Sequence, residues 1–164
     1  MRQVRVYSAD PLAAHSEQEL GRAASAHVLR VLRLRAGDAL TLFDGRGGEY
    51  PARLVRTGRA AAVVEVGAHL PLERESPLAI TLLQSLARGE KMDFIVQKGT
   101  ELGVTRIVPV AVGRSVMRVP QGREGRKLEH WRAVAASACE QCGRNRLPQI
   151  DAPVGMAVSG EARA

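Results

Sequence analysis

Leu78-Ala79-Ile80-Thr81-Leu82-Leu83, followed after a short gap by Lys91-Met92-Asp93-Phe94-Ile95-Val96-Gln97-Lys98-Gly99-Thr100-Glu101-Leu102-Gly103, decides the fold class of this chain. The first six residues form an apolar run rich in strand formers. In the second stretch the period changes, and Met92, Ile95, Val96, Gly99 and Leu102 recur at helical spacing along one face. Gly103 stands where a helix C-cap glycine belongs, and Ile107-Val108-Pro109-Val110 reads as a second buried strand. Strand, helix and strand in that order imply a parallel pair. Ligands of open parallel sheets gather at the carboxyl ends of the strands.

Upstream, to Leu72, the texture is that of a small β domain with one helical insert. Val4-Arg5-Val6-Tyr7 alternates as a strand does, and Glu17 to Arg35 carries Leu20, Ala24, Val28, Val31 and Leu32 at roughly helical spacing. Ala39-Leu40-Thr41-Leu42-Phe43 predicts a strand, Asp44-Gly45-Arg46-Gly47-Gly48 a hairpin turn, and Glu49 to Val55 the return strand. Pro51 predicts that this return strand is an edge or is bulged. With Ala61 to Val66 as a further strand, the short strands and glycine turns suggest a small barrel. Glu73-Arg74-Glu75-Ser76-Pro77 reads as a linker, which sets domain boundaries of 1–72 and 73–164.

Downstream of Val110 lies a loop, Gly113 to Gly125, with Arg114 in it. Lys127 to Cys142 predicts a helix with Leu128, Trp131, Ala135, Ala138 and Cys142 as its apolar stripe and Gly143 as its stop. Leu147 to Ile150 begins another strand, and the alanine- and glycine-rich tail from Asp151 to Ala164 is expected to be poorly ordered.

Charge and composition narrow the function classes. The 164 residues are 45% hydrophobic, enough to bury a core, and 24 Lys and Arg against 17 Asp and Glu give a formal net charge of +7. A polyanion is therefore the first partner to consider. No secretory leader and no bilayer-spanning stretch is read in the sequence, so the expected location is the cytoplasm. Cys139 and Cys142, three residues apart, fit a reducing compartment. They lie in the last turn of a predicted helix, where the dipole opposes a lowered thiol pKa, and read as small buried residues rather than redox groups. The four histidines lack ligand spacing, so no metal is expected.

Two polar patterns stand out. His27, Arg30 and Arg33 follow at i, i+3 and i+6 on the first predicted helix, a basic side able to meet phosphates, although a solvated helix face explains the same residues. On the second helix an acidic row, Asp93, Gln97 and Glu101, runs beside Lys91 and Lys98, which stabilising ion pairs would also explain. The dense cluster Glu140, Gln141, Arg144, Asn145 and Arg146 at the end of the third helix argues for more than helix stabilisation.

These blocks resemble a known family. Glu73-Arg74-Glu75-Ser76-Pro77, Lys91-Met92-Asp93, Gln97-Lys98-Gly99-Thr100-Glu101-Leu102-Gly103-Val104, Pro109, Arg114-Ser115, Trp131 and Glu140-Gln141-Cys142-Gly143-Arg144 with Pro148 are similar to the bacterial small-subunit ribosomal RNA uridine-N3 methyltransferases of the SPOUT superfamily. His27 to Arg33 ahead of Gly37-Asp38, and Phe43-Asp44-Gly45 ahead of Glu49-Tyr50, resemble that family's PUA-like RNA-binding barrel. The resemblance covers about Val4 to Pro153 and implies an α/β plus β architecture: a PUA-like small β-barrel followed by the first part of a SPOUT α/β-knot methyltransferase domain. It further implies a homodimer that transfers a methyl group from S-adenosylmethionine to N3 of a uridine in small-subunit ribosomal RNA. The family's glycine-rich cofactor loop and knotted C-terminal segment do not occur in these 164 residues, so the cofactor-binding residues are expected in a missing C-terminal segment. A non-catalytic RNA-binding protein is the alternative.

Under the resemblance, a carboxylate would assist loss of the N3 proton and a guanidinium would stabilise charge on a flanking carbonyl. Glu101 or Glu140 is the candidate base, with Arg114 or Arg144 as its partner. Arg2, Arg5, His27, Arg30 and Arg33, with Lys91 and Lys98 from the second domain, are the candidate RNA contacts.

Overall fold

The computed structural model describes residues 4–59, 61–112 and 124–156, and the chain divides into two compact units. The first takes in Met1–Glu75 together with Cys139–Leu147; the second takes in Ser76–Ala138 and Pro148–Ala164. The first unit thus runs past Leu72 and takes in the last turn of the third helix with the residues that follow it. The cause is electrostatic, because Glu73, Arg74 and Glu75 all pair with residues of the first unit instead of forming a free linker.

In the first unit β1 (Arg5–Tyr7), β2 (Ser16–Glu19), β3 (Ala39–Phe43), β4 (Tyr50–Thr57) and β5 (Ala62–Val66) form one sheet in the order β1-β3-β4-β5-β2. β1 runs parallel to β3 and every other pairing is antiparallel. Val6, Leu42, Leu54 and Val64 are completely buried in its core, each such side chain contributing about 1.5–3 kcal/mol. The turn at Asp44 to Gly48 is the expected hairpin, with Gly45, Gly47 and Gly48 at φ +81°, +109° and +70°. A Cβ at Gly48 would run into the His69 ring, so both the backbone angle and the space require glycine there.

The long helix expected from Glu17 to Arg35 is replaced by three pieces. Ser16–Glu19 pairs antiparallel with β5, its side chains alternating half-buried and exposed, a period of two that the nearby apolar residues masked. The helix α1 starts only at Arg22 and passes at Ala26 into a π-helical turn, His27–Val31. Ser25 joins it to the sheet: its buried hydroxyl donates to the Leu20 carbonyl at 2.7 Å and accepts the Ala62 N–H at 3.1 Å. Arg33 lies beyond the helix at φ +55°, so the i, i+3, i+6 basic face ends at Arg30. β4 is not an edge strand, since it lies between β3 and β5. Pro51 is accommodated because it stands one residue past the last β4–β5 pair, Ala52 with Val66, and the bulge falls between Leu54 and Arg56.

The second unit is the expected strand-helix-strand. β6 (Thr81–Ser85), α2 (Glu90–Glu101) and β7 (Arg106–Val112) place two parallel strands side by side, Leu82 opposite Ile107. β6 starts at Thr81, not Leu78, which leaves Leu78 outside the sheet. The helix α3 spans Glu124–Cys142, its last turn belonging to the first unit. On the far side of β7 two short parallel strands follow, β8 (Gln149–Ile150) and β9 (Val154–Met156). Pro109 sits in β7 where the β8 pairing has ended at Ile107 and the β9 pairing has not begun, so its missing N–H interrupts no pair on that side. Part of the tail expected to be disordered is thus β9, and residues 157–164 lie outside the described residues. Met92, Val96, Ile107, Trp131, Ala135 and Ile150 make the core of this unit.

α2 ends as its sequence demands. The Val104 N–H reaches the Gly99 carbonyl at 2.9 Å and the Gly103 N–H reaches Thr100 at 3.1 Å, with Gly103 at φ +92°. These two bonds form a Schellman motif. The nearest atom to a Cβ at Gly103 would be Ser76 Cβ at 3.8 Å, so a side chain has room but the backbone angle does not suit it. Gly103→Ala is expected to destabilise the second unit by about 1–2 kcal/mol, read from its denaturant midpoint.

Candidate nucleic-acid interface and the buried network behind it

Glu49 follows the hairpin turn and is only 3% exposed, yet it is ionised. Arg74 donates to its Oε2 at 2.8 Å and Arg5 at 2.5 Å. The hydrogen bond from Arg74, and after it that from Arg5, lowers the carboxyl to about 2 against the opposing effect of burial. Arg5 also donates to Asn145 Oδ1 at 2.6 Å and to the Arg144 carbonyl at 3.2 Å, and its guanidinium lies over the Phe43 ring, 4.9 Å from the centroid. Asn145, fully buried, donates to the Leu72 carbonyl at 2.7 Å.

The alternation of Glu73, Arg74 and Glu75 explains how the network closes. Arg74 meets Glu49, while Glu75 takes Arg144 at 2.7 Å and Glu73 takes Arg146 at 3.1 Å. Residues 73–75 and 144–146 are thereby bound into the first unit as a ladder of charge pairs. Glu140 joins from the last turn of α3, where its Oε1 accepts the Tyr7 N–H at 3.0 Å and its Oε2 lies 3.6 Å from His27 Nδ1.

This arrangement sorts the residues singled out from the sequence. Arg5 is turned into the interior, where Glu49 and Asn145 hold its guanidinium. Arg144, 6% exposed, is occupied by Glu75, and the Glu140 carboxylate is occupied by a backbone N–H and His27. Glu101 belongs to the second unit, where Lys98 holds it at 2.7 Å. Arg2 and Arg114 lie outside the described residues. Sequence reasoning missed Glu49, Arg74 and Asn145 as partners. The one available signal was the matching alternation of charge in Glu73-Arg74-Glu75 and Arg144-Asn145-Arg146.

The cations left facing solvent form a different set. Arg30, Arg33 and Arg35 are exposed around the π-helical turn, and among the described residues no ion pair neutralises them. The turn is closed by bonds that span more residues than the four of an α-helix, from the Leu32 N–H back to the His27 carbonyl at 2.9 Å and from the Leu34 N–H back to the Val28 carbonyl at 3.0 Å. Together with the left-handed Arg33 this is costly geometry of the kind concentrated at functional sites. In the second unit Lys91 is exposed in the first turn of α2, and Lys98 sits 5.9 Å from the centroid of the Phe94 ring.

Other features carry less chemistry. Cys139 is buried as expected but Cys142 is exposed, and their mutual hydrogen bond, with burial, pushes the Cys139 thiol up, opposite to what a redox pair needs. A cavity of about 670 Å³ in the first unit is lined by His15, Glu17, Pro51, Arg53, Glu65 and Gly67, among others. Among the described residues no helix is long and apolar enough to cross a membrane.

The chain matches the family model described as an RNA methyltransferase domain over residues 74–159, just over half its length, and the RNA methyltransferase PUA domain over residues 20–67. The chain belongs to the RNA methyltransferase family. A ribosomal RNA small subunit methyltransferase E of Buchnera aphidicola (subsp. Acyrthosiphon pisum) is 30% identical over 150 residues, covering 92% of this chain and 59% of that protein. Among solved structures, one of Legionella pneumophila described as a methyltransferase in complex with the bound cofactor SAM superimposes with a TM-score of 0.91 at 35% identity, over 94% of this chain and 64% of that one. Ribosomal RNA small subunit methyltransferase E of Neisseria gonorrhoeae, bound to S-adenosyl methionine, does so with a TM-score of 0.88 at 38% identity, over 94% and 63%. The chain therefore spans somewhat under two thirds of each of these relatives. Its first unit is PUA-like and its second is SPOUT-like, as the sequence blocks implied.

Proposed function

We propose that this RNA methyltransferase chain acts in S-adenosylmethionine-dependent methylation of small-subunit ribosomal RNA, at N3 of a uridine. The observation that carries the reading is the superposition of both units, over 94% of the chain, on structures described with that cofactor bound. Arg30, Arg33 and Arg35 of the PUA-like unit, exposed and without an ion pair among the described residues, support RNA as the partner.

When bound, S-adenosylmethionine supplies a methyl group on a sulfonium, and the chain must position a deprotonated uridine N3 in line with it. Of the two candidate carboxylates, Glu140 is engaged in the buried network, while Glu101 is partly exposed on α2 and, among the described residues, pairs with Lys98 alone. Glu101 is therefore the proposed base. The cofactor is assigned to no described residue; the cavity of the first unit is lined by charges of both signs, Glu17 and Glu65 with Arg53, and Glu17 is already held by Arg56. Homodimerisation is part of the same proposal and rests on the family resemblance.

RNA binding separates this reading from a purely structural one. Arg30→Ala is expected to weaken binding to small-subunit RNA and to reduce the slope of log affinity against log salt by about 0.7–0.9, the release of one phosphate contact. An unchanged slope would remove Arg30 from the interface. Calorimetric titration with S-adenosylmethionine adds the second arm: RNA binding without cofactor heat would favour the non-catalytic reading.

A further inference from the structure

We propose that Phe94 is a stacking platform for an unpaired nucleobase of the RNA, with Lys91 and Lys98 holding the phosphates on either side; this rests on the RNA-binding reading above. Most aromatic side chains of this chain are unavailable for such a contact. Phe43 and Trp131 are buried, and the half-buried Tyr7 and Tyr50 rings are packed on Phe43 and His69. Phe94 alone among the described aromatic residues is exposed, at 60%.

Its neighbours decide what it faces. Lys91, Phe94 and Lys98 stand at i, i+3 and i+7, one face of α2. The two lysines are roughly 10 Å apart along the helix axis, and Lys98 Nζ lies 5.9 Å from the ring centroid, near enough to orient the ring. Glu101 shares Lys98 and Glu90 precedes Lys91, so the face is not uniformly basic. Asp93, beside it, is turned to His130 at 2.8 Å. Leu102, the residue that caps the end of α2, is also exposed, at 79%. An exposed Phe and Leu would also suit a protein partner, but lysine is depleted from the centres of protein interfaces. Alternating aromatic and cationic groups are instead how single-stranded nucleic acid is held, bases on rings and phosphates on ammoniums.

The test uses the protein with a labelled single-stranded oligouridine, its affinity followed by anisotropy across a range of salt. Phe94→Leu keeps the apolar bulk and loses the π face; it is expected to weaken binding about tenfold with the salt slope unchanged, and Phe94→Tyr to restore it. Lys91→Ala is expected to lower the slope by about 0.7. Because Phe94 is exposed, the unfolding midpoint of each variant should match the wild type, which separates lost contact from lost fold. Binding by Phe94→Leu within twofold of wild type overturns the proposal. So does a loss that coincides with a change in sedimentation state, which would assign Phe94 to a protein contact. If the wild-type protein binds no RNA, the RNA-binding reading itself falls and takes this inference with it.

Discussion

Glu49→Gln is expected to destabilise the first unit by about 3–5 kcal/mol, because it removes the one carboxylate that Arg5 and Arg74 share and leaves Arg5 buried without a counter-charge. The glutamine has the same shape, so the loss reports charge rather than packing. The pH dependence gives a second signature. The folded carboxyl sits at about 2, below its ordinary value of 4.5, so its contribution is complete above about pH 4.5 and is lost as pH falls towards 2. The wild type should lose stability through that window and Glu49→Gln should not lose this component. Denaturant unfolding at pH 7 and at pH 3 measures both. A variant as stable as the wild type at pH 7 would mean that the ladder is peripheral to the first unit.

Trp131→Ala is expected to cost the second unit about 3–5 kcal/mol, the usual range for a large aromatic deleted from a core. The indole is 3% exposed and belongs to the cluster that contains Met92, Val96, Ile107 and Ile150. That cluster carries the parallel sheet, so amide exchange in β6 and β7 should accelerate with the loss. A change below about 1 kcal/mol would show that α3 is not what covers the sheet.

The parts of the fold written in short-range pattern were legible. Period 3.6 from Met92 to Leu102, the glycine stop at Gly103 and the apolar run at Ile107 lead directly to α2, its Schellman end and β7. Ser16–Glu19 was misread because four polar residues pair with β5 from a distance in sequence, and a single-segment period cannot report its partner. The buried network was illegible for the same reason: Arg5 and Glu49 are 44 residues apart, and Arg5 and Asn145 are 140 apart. Exposure had to come from the structure too. Arg5 and Arg30 are alike as letters in a basic sequence, yet one is locked against Glu49 and the other faces solvent. The family blocks carried the PUA-like and SPOUT-like units correctly, while their charged residues turned out to mix structural ladder and outward surface.

The central claim concerns one atom of one base, and it is tested most directly in cells. Small-subunit ribosomal RNA from a strain with the coding sequence deleted, digested to nucleosides and compared by mass spectrometry with RNA from the parent and from the complemented strain, reads that atom. The proposed function predicts that 3-methyluridine disappears on deletion and returns on complementation. Unchanged 3-methyluridine in the deleted strain, or loss of a methyl group from a different base, would contradict it.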